Sequence, residues 1–444
     1  MVADLALSLV KLATAGWLGC LAWRSGARIA TRRPRSVFFP IVVLFLFFGL
    51  PLVFDVAIGQ PRYELFPPIF VATRDAATSV MYCVAVASAG ALLWLGRGKG
   101  EPKWFGVVGK ARISIPPTLK LVAVGCLILP AIAVWWTPHP ELYLSYGAVL
   151  TNALEMTNES GHDIVALATV LSIVGVCAIA LSSKSVLRAL IVLLPFIVLA
   201  AWLNGKRHYI AFVLAILMYV VWRRGLASGR KLFVVGMICA SGLAVFSYMY
   251  QSEMRGVAFA AGDREEGYEN LRVDFGRDHV VQLALYPELG SGRARVLEYR
   301  GQSLLFTALF FVPRSLWPGK PLPYAQYATS AAFGTPPRLW GWGLTTSILD
   351  ELVANTGFVG LLLAPLLLVV ICRCGDRTRS EFVGCLSPII ACLLLVVQVS
   401  AFTVIACAWL VAVLWERRPR REQLRFKGHY QDARGGGAVG GSSW

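Results

Sequence analysis

Two short stretches place cations where an apolar chain has least use for them. Asn204-Gly205-Lys206-Arg207 joins two apolar runs by a turn alone, and Phe311 to Pro321, FVPRSLWPGKP, threads Arg314 and Lys320 among three prolines. An arginine offers a planar fork that matches phosphate oxygens in pairs, and a lysine offers a point charge. Lys206 and Arg207 also open a helix, whose N-terminal amides favour negative charge. The chemistry this suggests is the gripping of a diphosphate; the plainer reading of the Lys206–Arg207 pair is a helix end whose stems lie on apolar surface with their heads in the headgroup layer. Proline fixes its own backbone, restricts the residue before it and removes a donor. FVPRSLWPGKP is therefore expected to be a rigid, non-helical turn, tolerable at membrane depth only when packed in protein or lining a wet cavity.

A group that could take a proton from an attacking hydroxyl is sought among Asp274, Asp278, His279, Glu298 and Glu351. Glu351 is preferred because it starts a helix beside the proposed cavity, although the helix dipole alone favours an acid in a first turn. His279 is the second choice, a loop histidine being more often simply solvated. Asp274, Asp278 and His279 come nearest to a metal-ligand cluster but lack a third fixed ligand type, so no metal is expected. No glycine fingerprint for a nucleotide is present, and no cofactor is implied.

The elements that must position these residues are membrane helices. The 444 residues are 57% hydrophobic and 15% charged, with a mean hydropathy of +0.64, which is the composition of an all-α polytopic integral membrane protein. The net charge of +17 lies mostly in short clusters between apolar runs, as the positive-inside bias produces, so nucleic acid is not an expected partner and the lipid bilayer is. The ten cysteines fall within or at the ends of apolar runs and read as small buried hydrophobes. The first run, Leu5 to Trp23, has its arginines after it and lacks a basic leader, so it reads as a first spanning helix.

Runs long enough to span lie near 4–23, 37–58, 75–96, 117–137, 162–182, 186–204, 207–224, 231–250 and 346–371, and 382–415 divides near Gln398 to Ser400, giving about 11 transmembrane helices. Arg24 to Arg35, Arg97 to Arg112, Lys184 and Arg188, Arg223 to Lys231, Arg373 to Arg379 and the tail ERRPRREQLRFK mark one side as cytoplasmic, whereas 138–161 has acids and no Lys or Arg. This puts the N-terminus outside and the C-terminus in the cytoplasm. Ser303 to Trp317 is read as non-spanning or re-entrant, which makes 251–345 one large external loop carrying ten Lys or Arg and nine acids. The organisation expected is helices 1–8 in 1–250, the loop in 251–345, helices 9–11 in 346–416, and a basic then Gly/Ser-rich tail in 417–444.

Three segments in this order, GKRHYIAF (205–212), YRGQSLLFTALFFVPRSLWPGKP (299–321) and LDELVANTGFVG (349–360), resemble the O-antigen polymerases of the Wzy type and related oligosaccharide repeat-unit polymerases. The resemblance covers roughly residues 200–365. It implies a GT-C-like glycosyltransferase of the bacterial inner membrane, working without metal, that joins a polyprenyl-diphosphate-linked oligosaccharide to a second lipid-linked repeat at the periplasmic face. A chain-length regulator and a flippase would be its protein partners. Carried over by position, Lys206, Arg207, Arg314 and Lys320 would hold the diphosphate, and Glu351, Asn355, Gly357 and Gly360 fall on the external start of the helix after the large loop. Beside these, Arg300 and Arg255 are candidate further diphosphate contacts, and Glu351, Arg314 and His279 are the candidate catalytic residues. One departure stands out: the Arg-x10-Gly pattern described for some such polymerases is absent from the external loop, and Arg373 with Gly384 and Arg425 with Gly436 show it only on the side read as cytoplasmic. The alternatives are an O-antigen ligase, which would share the cationic cavity, and a transporter of lipid-linked glycan, which would be expected to show internal repeats and charges deep in several helices.

Overall fold

A computed structural model of the chain describes residues 2–31, 35–98, 117–151, 160–183, 185–255, 264–312, 314, 316–337, 339 and 343–417. Arg32, Arg33, Lys99, Lys103, Lys110, Arg112, Glu155, Glu159, Lys184, Pro313, Arg338 and the tail from 418 lie outside the described residues.

Every regular element among the described residues is a helix, and none is a strand. We number the helices used below α1 (Val2–Ala30), α2 (Phe38–Ala57, with a π-helical turn at Phe45–Gly49), α3 (Pro67–Arg74), α4 (Ala76–Leu95), α5 (Pro117–Trp135), α6 (Ser160–Ser182), α7 (Val186–Asn204), α8 (Arg207–Arg223) and α9 (Arg230–Arg255). They continue with α10 (Arg264–Phe275), α11 (Asp278–Leu285), α12 (Gln302–Ala308), α13 (Tyr324–Phe333), α14 (Ile348–Thr356), α15 (Gly360–Arg377), α16 (Glu381–Val396) and α17 (Thr403–Arg417).

Among the described residues, seven helical rods are long and apolar enough to cross a membrane: those built on α1, α2, α4, α6, α7, the pair α14–α15 and α17. The pattern of α7 shows why the bundle needs lipid. Leu187, Ile191, Leu194, Val198 and Trp202 form an exposed stripe at helical spacing, while Ala189, Leu193, Ile197 and Ala200 face the core. A helix apolar on both faces has no water-facing side, so the chain is a polytopic membrane protein. The stretch 382–415 is two helices, because α16 ends at Val396 and a 3-10 turn over Val399–Phe402 leads into α17.

The basic turns meet at one end of the bundle. Arg35 Nη1 donates to Arg97 O (2.7 Å), Arg373 Nε to Gly96 O (3.0 Å), and Arg223 pairs with Glu381 (3.2 Å). Trp222 Nε1 reaches Ile29 O (3.1 Å) and Asp376 Oδ1 takes the Ser36 amide (2.9 Å). Each of these contacts ties one basic turn to another, so turns separated by up to hundreds of residues share a single face.

The opposite end is capped. Tyr63, Phe66 and Ile69 pack with Val280, Leu283, Leu322, Tyr324, Tyr327 and Leu344 in a second hydrophobic core, separate from that of the bundle. The segment between α9 and α14 is thus held by apolar packing against α3 and its approach, as its aliphatic and aromatic content requires. Within it, α12 has seven residues, about 10 Å of helix, roughly a third of a bilayer core, and cannot span.

Candidate functional site

The capped end gathers most of the ionisable residues singled out above. Gly205, in the left-handed region at φ 65°, ends α7 and lets the chain reverse within two residues, so that Arg207 becomes the first residue of α8. The Arg207 fork meets Asp274 of α10 edge to edge, Nη1 to Oδ2 at 3.3 Å and Nη2 to Oδ1 at 3.2 Å. Lys206 beside it is half-buried, its side chain forms no hydrogen bond or ion pair among the described residues, and loss of hydration pushes its ammonium below the ordinary lysine value.

α10 carries a second, tighter ionic group on another face. Arg272 donates to Asp55 Oδ1 (2.8 Å), Tyr268 Oη (2.9 Å) and Asp278 Oδ2 (2.6 Å), and Asp55 Oδ2 also accepts from Lys11 of α1 (2.7 Å). Burial opposes the charge on Arg272, but Asp278, with Tyr63 and Asp55 adding to it, holds the guanidinium well above its ordinary value. Two buried cations and two buried anions alternate here, so the group is neutral as a whole. The spacing Arg272 to Asp274 therefore pins one helix of the large loop to α1 and α2 on one side and to α8 on the other.

Between α10 and α11, Arg277 is buried and donates to Val396 O (2.9 Å from Nη2), Asp274 O (3.1 Å) and Gly276 O (2.6 Å). Burial pushes it down to about 10, with Asp350 the largest of the charges that oppose this, so it stays a cation at neutral pH. His279 is fully buried against Tyr63, ring centroids 5.8 Å apart. Burial, then Arg277 and Arg272, push its imidazole down to about 3. Its contribution to stability is present above the ordinary histidine value of roughly 6.5 and is lost as pH falls from there toward 3. Tyr63 itself sits at φ 49°, the one non-glycine positive φ among the described residues, a strained backbone that its buried packing must hold.

Glu351 lies in the first turn of α14, capped by Ser347, whose hydroxyl accepts from Leu349 N (3.2 Å) while Asp350 Oδ1 accepts the Ser347 amide (2.8 Å). This is the capping box that a Ser-x-x-acid spacing writes into a sequence. Ser303 of α12 donates to Glu351 Oε1 (2.9 Å) and accepts from Asn355 Nδ2 (2.7 Å). Gly357 follows at φ +66°, and a Cβ there would lie 2.3 Å from Arg300 Nη1 and 3.0 Å from Glu288 Oε2. Those two side chains form an ion pair, Arg300 Nη2 to Glu288 Oε2 at 2.8 Å. Gly357→Ala is expected to cost more than about 1 kcal/mol and to lower the melting temperature in detergent, because strain and a displaced ion pair add.

The remaining cations behave differently from the expectation of a shared diphosphate cradle. Arg314 donates to Lys320 O (2.9 Å) and Pro321 O (3.1 Å), and the buried Lys320 donates from Nζ to Phe310 O (2.8 Å) and Val312 O (2.7 Å). These bonds close FVPRSLWPGKP on itself: the prolines remove amide donors, and the two cations supply donors to the carbonyls left over. Glu298 accepts from Gln302 (3.1 Å), and Arg255 is the last residue of α9. The structure thus brings together Arg207, Asp274, Asp278, His279 and, through Arg277 and Asp350, the end of α14 that carries Glu351, whereas Arg300, Arg314 and Lys320 serve the loop around them.

Four participants escaped the sequence reading as members of this group: Lys11, Asp55, Arg272 and Arg277. The available signal was Asp55, an acid at the end of an apolar run, with Lys11 within another, since two opposite charges at membrane depth are expected to seek each other. No protein-family model, curated protein or solved structure matches this chain.

Proposed function

We propose that the chain is a GT-C-like glycosyltransferase with eleven spans, set in a bacterial inner membrane with the N-terminus outside. It polymerises polyprenyl-diphosphate-linked oligosaccharide repeat units at the periplasmic face. The single observation that supports this best is the Arg207 fork, presented at a helix N-terminus and occupied by the carboxylate of a loop residue, at the end of the bundle away from the basic turns. A carboxylate engaged through both oxygens is what a phosphate would replace.

In the proposed reaction the acceptor hydroxyl attacks C1 of the donor sugar, the C1–O bond to the diphosphate breaks, and the polyprenyl diphosphate leaves with the electron pair. Arg207, Lys206 and the first amides of α8 stabilise the charge that develops on the leaving group, a contribution that fixed cations in a water-poor site make large. Glu351 takes the hydroxyl proton. Arg277 positions this machinery by joining α10, α11 and the end of α16 through the carbonyls of Asp274, Gly276 and Val396. His279, uncharged at neutral pH, packs α11 against the Tyr63 loop.

The test is reconstitution of the full chain in proteoliposomes with lipid-linked repeat units as the sole substrate. The expected result is a ladder of glycan lengths with release of polyprenyl diphosphate. No ladder from a lipid-linked repeat competent in a control polymerase would overturn the proposal, and transfer appearing only when lipid A-core is added would assign the ligase reaction instead.

A further inference from the structure

Three arginines of the basic end converge on the turn after α4: Arg28 in the last turn of α1, Arg35 just before α2, and Arg97 itself. The guanidinium carbon of Arg28 lies 5.3 Å from the ring centroid of Phe38 and 5.4 Å from that of Trp94, and the guanidinium carbon of Arg97 lies 4.1 Å from Trp94. Arg35 Nη1 donates to Arg97 O (2.7 Å) and also to Gly98 O. An aromatic face attracts a cation and orients it, but leaves the charge and the N–H donors of the fork in place.

None of the three has an ion-pair partner among the described residues, and Arg28 donates no hydrogen bond there. The acids at this end are engaged elsewhere: Asp376 by the amide and hydroxyl of Ser36, Glu381 by Arg223, and Glu416 by Thr378 and the Arg379 amide. Lost hydration, then Arg28, then Arg35 push the Arg97 guanidinium below its ordinary value, and no acid opposes them. One of its donors, Nη1, is buried without a partner among the described residues. Like charges gathered this closely, with donors to spare, suit an anion that offers several oxygens. The surroundings indicate where that anion comes from. The trio sits at the ends of the membrane-crossing rods α1, α2 and α4, and Trp23 (81% exposed) and Leu95 (75%) turn large apolar side chains outward within two helical turns of Arg28 and Arg97. Such side chains meet acyl chains and the headgroup boundary, where tryptophan is enriched, so the anion within reach of the arginines is the phosphate of a lipid.

We propose that Arg28, Arg35 and Arg97 form a binding site for the phosphate of an anionic phospholipid in the leaflet at the basic end, with Trp94 orienting two of the three guanidiniums. The bound phosphate offsets the repulsion among the arginines and ties α1 and the start of α2 to the end of α4. The site lies at the end of the bundle opposite the cap and does not depend on the glycosyl-transfer reading.

The full chain, purified in detergent and stripped of lipid, is titrated separately with phosphatidylglycerol, phosphatidylcholine and inorganic phosphate, and followed by melt shift and native mass spectrometry. Phosphatidylglycerol is expected to raise the melting temperature and to stay bound in the mass spectrum; the neutral lipid and the free ion are expected to do neither. In the double variant Arg28→Gln with Arg97→Gln the half-saturating phosphatidylglycerol concentration is expected to rise roughly 30-fold, the effect of two lost surface cations. Arg230→Gln with Lys231→Gln removes two cations at the start of α9 and is expected to leave that concentration near its wild-type value. Should the first double variant fail to fold, a photoactivatable phosphatidylglycerol added to the wild-type chain gives the same decision, since it is expected to label the segments around Arg28 and Arg97. Equal losses in the two double variants would reduce the effect to general surface charge. A shift with phosphate alone would make this a site for a soluble anion, an equal shift with phosphatidylcholine would remove the role of charge, and labelling elsewhere would move the site. Each of these results overturns the proposal.

Discussion

Arg272→Met is expected to produce the largest loss of stability of any single substitution at the capped end. Arg272 is 2% exposed and makes the contacts that neutralise Asp278 and share Asp55 with Lys11. With it, two cations face two anions; without it, Lys11 remains to serve Asp55 and Asp278 has lost its ionic partner. Removing one member of a buried ion group typically costs about 3–5 kcal/mol, because the charge left behind has neither water nor a counter-ion. Methionine keeps much of the volume, so lost packing is a minor part of the effect. The measurement is a thermal melt of the purified full chain, read both by aggregation and by proteolysis of the 264–345 segment, with the segment expected to become protease-sensitive before the bundle unfolds. The companion variant Arg272→Met with Asp278→Asn separates electrostatics from shape. Replacing both partners of a buried pair by uncharged groups is often close to neutral, so the double variant is expected to melt above the single one. Additive losses would show that Arg272 matters through its packing.

The parts of this architecture that were legible in the sequence are those governed by local rules. Apolar length located helices that could cross a membrane, seven of them long enough among the described residues, and the basic turns of the first half and of Arg373 to Arg379 share a face as their composition suggests, whereas the capping box from Ser347 to Asp350 is a spacing the sequence reading passed over. The described residues of FVPRSLWPGKP are non-helical, as its prolines lead one to expect, yet its cations point to its own carbonyls. Spacing could not reveal this, since it depends on where the turn folds back, ten residues from Phe310 to Lys320. The Lys11–Asp55–Arg272–Asp278 group is harder still: its contacts join residues 44 and 217 positions apart. A side chain's long-range partner is fixed by tertiary packing, and one sequence carries no trace of it beyond the oddity of a charge in an apolar run. The same holds for Arg207, where the cation was conspicuous and its carboxylate partner was one of nine acids in the large loop.

That partner makes a sharper prediction than loss of the cation alone. Asp274→Asn is expected to bind inorganic pyrophosphate and polyprenyl diphosphate about tenfold more tightly than the wild type, whereas Arg207→Ala loses that binding and lowers transfer by roughly 10²–10³, the usual cost of removing one charge-stabilising donor. The reasoning rests on the quality of the pair. At 3.2 and 3.3 Å its two bonds are longer than the 2.6 and 2.8 Å of the Arg272 contacts, and Arg207 keeps 17% of its side chain exposed. A partly hydrated ion pair of ordinary length contributes little stability, on the order of 1 kcal/mol, so a diphosphate carrying more charge can take its place. Asparagine keeps the shape and one donor-acceptor set but no longer competes as an anion. Arg207→Lys should recover little of the lost transfer, because a point charge cannot hold two oxygens at once. Titration of each variant with pyrophosphate, followed by melt shift and calorimetry, checks the affinities. Were Asp274→Asn to weaken binding in parallel with a lower melting temperature, Asp274 would be a strut for α10 and not an occupant of the anion site. Equal affinity in wild type and Arg207→Ala would remove Arg207 from the site altogether, and the diphosphate would have to be sought elsewhere on the capped end.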